Sequence, residues 1–155
     1  MCDDVFGFLE KIKALDYSLK LDTNGSFPER LKKAVESGLC DYVAMDIKNS
    51  PQKYGVTAGC DGISFETVKE SIDFLKKSGI PHEFRTTVVK DFHTTADMEE
   101  IAEIVGDSPY FIQPFRDGET VMKQGLTEFE TEEIRELLAA AQNFAPKAQL
   151  RGIEL

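Results

Sequence analysis

Four charged residues stand where a soluble chain rarely puts charge. Asp22 lies near the end of "SLKLDT" (18–23), Asp46 and Lys48 close "YVAMDIK" (42–48), and Arg85 lies inside "EFRTTVV" (83–89). Each segment reads as an apolar strand, and the second has the composition of one covered on both faces. Side chains alternate along a strand, so Asp46 and Lys48 point the same way. Unpaired charge in a core is costly, so the two either pair or face something polar. If the strands are neighbours, Asp22 and Asp46 share a rim, where they repel unless a cation lies between them or one is protonated. Lys48, Arg85 and Arg116 offer positive charge to an anionic ligand group. Taken singly, each has a plain structural role. Asp22 suits an Asx-turn ahead of Asn24 and Gly25, Lys48 leads into solvent, and Arg85 can bridge to Glu83 or Asp22. His93, between Phe92 and Thr94, reads as an exposed loop histidine. Together, four charges on three apolar strands point to a site whose chemistry the spacing leaves open.

The elements that must position them alternate along the chain. Residues 3–15 carry Val5, Phe8, Leu9 and Ile12 on one helical stripe, with Asp3 or Asp4 as N-cap. After the strand at 18–23, Pro28 opens a helix that stops at Gly38, so "NGS" is a strand-to-helix loop. The strand at 42–47 leads through a glycine-rich connection (55–62) to a helix capped by Ser64 and ended by Gly79 and Pro81. The strand at 83–89 precedes a helix capped by Thr94 or Thr95 and closed by Gly106. "YFIQPF" (110–115) is the fourth strand, Thr131 starts the last helix, and "AQLRGI" (148–153) is a short final strand. Helical crossovers imply parallel pairing, in a barrel-like or doubly wound α/β sheet over one domain, 1–155. The working residues should gather at the C-terminal strand ends: Asp22, Thr23, Asn24, Gly25, Asp46, Lys48, Asn49, Arg85, Thr86, Thr87, His93, Gln113 and Arg116.

The 155 residues are 41% hydrophobic and 30% charged, the balance of a globular domain. A net charge of −10 argues against nucleic-acid or anionic-membrane partners. No apolar run is long enough to span a bilayer, and "MCDDVFGFLEK" lacks the order of a signal peptide, so a cytoplasmic location is expected. Cys2, Cys40 and Cys60 are too widely spaced for a disulfide framework or a zinc site, and Cys40 suits a small buried position.

"KLDTNG" (20–25), "DYVAMDIK" (41–48), "EFRTTVV" (83–89) and "IQPF" (112–115) resemble, in this order, the radical S-adenosylmethionine enzymes that activate glycyl-radical enzymes. The likeness is to anaerobic ribonucleotide reductase activating proteins and pyruvate formate-lyase activating enzymes. It implies a partial (β/α)6 barrel, of which this chain holds about four core strands flanked by helices. In that family a 4Fe–4S cluster cleaves S-adenosylmethionine to a 5′-deoxyadenosyl radical, which takes a hydrogen from a glycine of the partner enzyme. By position, Asp46, Lys48, Arg85, Asn24 and Arg116 match S-adenosylmethionine-binding places. Asp22, Thr23, Met45 and Asp46 match a monovalent-cation site beside the ligand carboxylate. Arg116 stands where formate-lyase activators have a histidine, which counts against that substrate. The family's CxxxCxxC loop and its "GGE" motif are absent, so no residue of these 155 is assigned as catalytic. The cluster is not expected here, and S-adenosylmethionine binding should be weak or absent.

The first reading is therefore the C-terminal part of a radical S-adenosylmethionine oxidoreductase whose partner is a glycyl-radical enzyme. The alternative is a noncatalytic partial-barrel module that binds or assembles through its open strand edge. Both expect self-association through the edge at 18–23, or a swapped N-terminal helix covering it. A third, a divalent-metal hydrolase built on Asp22 and Asp46, is disfavoured because no histidine or third carboxylate completes an oxygen-rich shell.

Overall fold

The computed structural model describes residues 5–59, 62, 64–118 and 125–153. Its elements are α1 (Val5–Lys13), β1 (Lys20–Thr23), α2 (Pro28–Glu36), β2 (Tyr42–Asp46), α3 (Tyr54–Ala58) and α4 (Phe65–Ser78). There follow β3 (His82–Val88), α5 (Thr95–Val105), β4 (Tyr110–Pro114), α6 (Thr131–Gln142) and β5 (Ala148–Leu150). The five strands form one parallel sheet in the order β1-β2-β3-β4-β5. Strands laid down in sequence order by crossovers of one hand place every helix on the same face. The sheet is thus singly wound, the arrangement of a barrel wall, and the doubly wound alternative falls away.

Alternation along the strands sorts the residues. Val43, Met45, Phe84, Val88, Tyr110 and Ile112 point to the helices and join a core with Leu31, Val68, Ile72, Met98, Ile101 and Leu137. The opposite face carries Lys20, Asp22, Tyr42, Asp46, Glu83, Arg85, Thr87 and Gln113. The expectation that residues 42–48 are covered on both faces is therefore corrected. Tyr42 and Asp46 are only half-buried, and Ala44 is buried between its register partners Asp22 and Glu83.

Ion pairs brace this open face at the N-terminal end of the strands. Glu83 accepts from Arg151 Nη1 at 2.7 Å and Nη2 at 2.9 Å, from Lys20 Nζ at 3.1 Å and from the Tyr42 hydroxyl at 3.1 Å. The Arg151 guanidinium lies 3.6 Å from the centre of the Phe111 ring. One carboxylate so ties β1, β2 and β3 to the chain beyond β5.

Ser64 caps α4, and Thr94 caps α5 in a reciprocal capping box with Asp97. Two helical details differ from the sequence reading. Phe8 is 61% exposed, because α1 docks through Leu9 with Phe6 and Ile12 beside it. The connection at 55–62 contains α3, anchored by buried Tyr54 stacked edge-on against Phe65 with ring centres 5.4 Å apart. The expected N-cap at Asp3 or Asp4 lies outside the described residues, as do Cys2 and Cys60.

Candidate functional site

The register sets Asp46 beside Arg85 and Asp22 one strand further out, so the C-terminal strand ends converge. Arg85 donates from Nε to Asp46 Oδ1 at 2.9 Å, and from Nη1 and Nη2 to Asp22 Oδ2 at 3.1 and 3.2 Å. Lys48 Nζ donates to the other Asp46 oxygen at 3.1 Å. The guanidinium therefore lies between the two carboxylates and answers their repulsion. Burial pulls the Arg85 pKa down, but the charges and hydrogen bonds of Asp46 and Asp22 outweigh it and raise it overall. The Asp22 side chain is 58% exposed, that of Asp46 31% and that of Arg85 15%, so the chain of charges runs from solvent into the sheet.

These residues line a cleft of about 580 Å³ together with Thr23, Asn24 and Phe27. That volume lies within the usual range of small-molecule sites, roughly 300–1,000 Å³. The turn that shapes its near wall is local chemistry. The Asn24 side chain accepts from the Ser26 N–H at 3.1 Å and Thr23 Oγ1 from the Gly25 N–H at 3.1 Å. The Asx-turn thus belongs to Asn24, and Asp22 is left to face Arg85. Gly25 sits at φ +72°, and a Cβ there would come 2.1 Å from Met45 Cε. Met45 accordingly points to the core side of β2, and only its backbone borders the rim.

A buried polar lattice holds the far wall. Thr86 Oγ1 donates to the Ile47 carbonyl at 2.9 Å, and the Tyr110 hydroxyl donates to Thr86 at 2.8 Å. Asn49 donates to the Phe92 carbonyl at 3.0 Å and to Thr57 Oγ1 at 2.9 Å. Asp97 accepts from Ser50 Oγ at 2.8 Å and from Lys53 Nζ at 2.6 Å. His93 is 3% exposed and meets the Lys48 carbonyl at 2.9 Å, which corrects its reading as an exposed loop residue. The sequence signal for this lattice was thin: polar residues beside apolar strands, with partners some forty positions away.

Arg116 is not brought into the cleft. It extends from the loop after β4, 64% exposed, and pairs with Glu128 at 2.6 Å. The Arg85 alternatives divide: it does bridge to Asp22, whereas Glu83 turns to Arg151. Among the described residues no group of three or more histidine, cysteine or acidic side chains is placed to hold a metal ion.

The profile of the Radical SAM superfamily matches residues 2–105. The chain belongs to this superfamily. A protein of Methanocaldococcus jannaschii, provisionally named a glycyl-radical enzyme activating enzyme, is 32% identical over 97% of the chain. The chain spans 65% of that relative's length. The fold matches a crystallised domain of pyruvate-formate lyase-activating enzyme from Bacteroides vulgatus, with a TM-score of 0.76 at 14% identity. The match covers 96% of this chain and 89% of that domain, so the five parallel strands are a radical SAM partial barrel. The open polar face is the inner face of the barrel wall, and the charged cleft lies at its C-terminal rim.

The superfamily implies S-adenosylmethionine and a 4Fe–4S cluster in its full-length members. The rim fits the first, since S-adenosylmethionine carries a carboxylate, an ammonium and a sulfonium, and the cleft offers two acids and two bases. The described residues do not fit the second. Their one cysteine, Cys40, is buried at the opposite end of β2, where burial pushes its thiol pKa up. No helix among the described residues is long and apolar enough to cross a membrane.

Proposed function

We propose that this chain carries the S-adenosylmethionine-binding rim of a glycyl-radical-enzyme activating enzyme, with the cluster supplied by residues outside these 155. The observation that supports it is the Asp22–Arg85–Asp46–Lys48 chain of charges at the strand ends of a radical SAM barrel wall. In this reading Lys48 and Arg85 turn from Asp46 and Asp22 toward the ligand carboxylate, while Asp46 holds its cationic groups. Asn24 and Phe27 border the same space. A monovalent cation beside Asp22, Thr23, Asp46 and the Met45 backbone would complete the balance of charge. Bound at this rim, S-adenosylmethionine would supply the group that takes a hydrogen atom from a glycine of the partner. The partner is then a glycyl-radical enzyme of the ribonucleotide reductase or formate-lyase kind. The isolated chain, with part of the site, binds S-adenosylmethionine weakly and generates no radical.

Calorimetry with S-adenosylmethionine tests this in the full-length protein and in its Asp46→Ala and Arg85→Met forms. Affinity should fall at least roughly tenfold in each, as expected when a desolvated charge loses its partner. Equal affinity in all three would remove the cleft from the ligand site. The outer edge of β1 has no strand beside it among the described residues. We propose that it pairs with a second copy when nothing else covers it, which sedimentation equilibrium of the isolated chain would show as concentration-dependent mass.

A further inference from the structure

His93 lies outside the charged cleft yet grips its frame. The Val89 N–H donates to Nδ1 at 3.1 Å, so the neutral ring carries its proton on Nε2, 2.9 Å from the Lys48 carbonyl oxygen. Nδ1 also lies 3.2 Å from the Val89 carbonyl oxygen, the contact a doubly protonated ring would use. The ring is fixed in turn by its loop. The Phe92 and His93 N–H groups both donate to the Val89 carbonyl at 3.0 Å, and Thr94 begins α5 in its capping box. The charged groups acting on the ring are Asp97 of α5 and Lys53 of the segment before α3.

Three links join the segment after β2 to the segment after β3: His93 to Lys48, Asn49 to Phe92, and Ser50 with Lys53 to Asp97. Of these, the His93 link alone holds a residue whose side chain reaches into the cleft. With the Ile47 carbonyl held by Thr86, both peptide units that aim Lys48 are fixed. We propose that His93, as its Nε2–H tautomer, is a positioning residue that sets the direction in which Lys48 leaves β2 toward the ligand. This rests on the reading of Asp46 and Lys48 as ligand-binding residues.

Three forms of the protein test it: the wild type, His93→Leu, which keeps bulk and loses both nitrogens, and His93→Gln, whose amide N–H replaces Nε2–H. Ring ¹⁵N NMR has two histidines to resolve, His82 and His93. The wild type at pH 8 should show His93 protonated on Nε2 and bare on Nδ1, and an Nδ1–H ring overturns the proposal. Amide hydrogen exchange needs no ligand. It should quicken at residues 47–50 in the Leu form but not in β4, and return toward wild type in the Gln form. Exchange unchanged at 47–50, or quickened equally in β4, overturns it. In the full-length protein, S-adenosylmethionine affinity should fall roughly three- to tenfold in the Leu form, the worth of one hydrogen bond, and recover in the Gln form. Equal affinity in the wild-type and Leu forms overturns it. A full-length wild type that binds no S-adenosylmethionine contradicts the proposed function instead, and NMR and exchange then decide the role of His93. Should the Leu form fail to fold, the Gln form must retain the wild-type exchange and affinity.

Discussion

Glu83 and Arg85 stand two residues apart on β3, share a face, and serve opposite ends of the barrel wall. The Arg151 hydrogen bonds, helped by Lys20 and Tyr42 and opposed by burial, pull the Glu83 carboxyl from the ordinary 4.5 to about 2. A carboxylate with a depressed folded pKa stabilises the fold above the unfolded value and loses that contribution as pH falls through the folded one. Glu83 thus contributes fully above about pH 4.5, and the contribution drains away toward pH 2. Glu83→Gln should cost about 2–3 kcal/mol near neutral pH and flatten the acid limb of stability, measured by urea denaturation across pH. Arg85→Met should leave Asp22 and Asp46 facing each other without a shared counter-ion, and thermal denaturation should show a less stable fold. Much of this scale was legible in the sequence: charge on an apolar strand had to find partners, and Asp22, Asp46, Lys48 and Arg85 found one another. His93 was not, because its burial depends on a carbonyl brought from 45 positions away. Arg116 was not, because a loop arginine can pair with either wall, and here Glu128 takes it.

Among the elements, the β1–α2 turn carries the sharpest constraint. Gly25 combines a left-handed backbone with a neighbour, Met45 Cε, where its Cβ would be. Gly25→Ala should therefore destabilise by about 2 kcal/mol. Adding Met45→Ala should relieve the collision but not the backbone strain, so a double-mutant cycle by thermal denaturation should show less than additive loss. At α5, Thr94→Ala should cost about 1 kcal/mol, the usual worth of an N-cap. The caps at Ser64 and Thr94 were readable because their chemistry is local. The short helix α3 was hidden by its glycines, and it holds because Tyr54 finds Phe65 and the core, a contact that no periodicity announces.

Across the whole molecule, the parallel order was written in the alternation of apolar runs with helical stripes. The one-sided cover was not. A run such as Val43 to Ile47 looks the same whether its second face meets helices or a polar barrel interior. What separates the two is long-range, since Glu83, Lys20 and Arg151 come together from across the chain. His93 adds a pH response of its own. Burial is the main cause holding its ring below the ordinary histidine value of 6.5, so the neutral ring stabilises the fold above that pH. Acidification through the folded pKa costs stability as the unfolded chain takes up the proton more readily. His93→Gln should flatten the loss of thermal stability just below pH 6.5 relative to wild type.

The Glu83–Arg151 pair also bears on how the wall is built. The two residues lie 68 positions apart, and Arg151 follows the last strand. While the chain is being synthesised, β1 to β4 can pair and the helices can settle behind them. Glu83 has then only Lys20 and Tyr42 to answer its charge on the open face. The full neutralisation of Glu83 waits for residue 151, so this ion pair closes only after β1 to β5 have been made. A nascent chain halted before that point should be held less firmly than its strand count suggests.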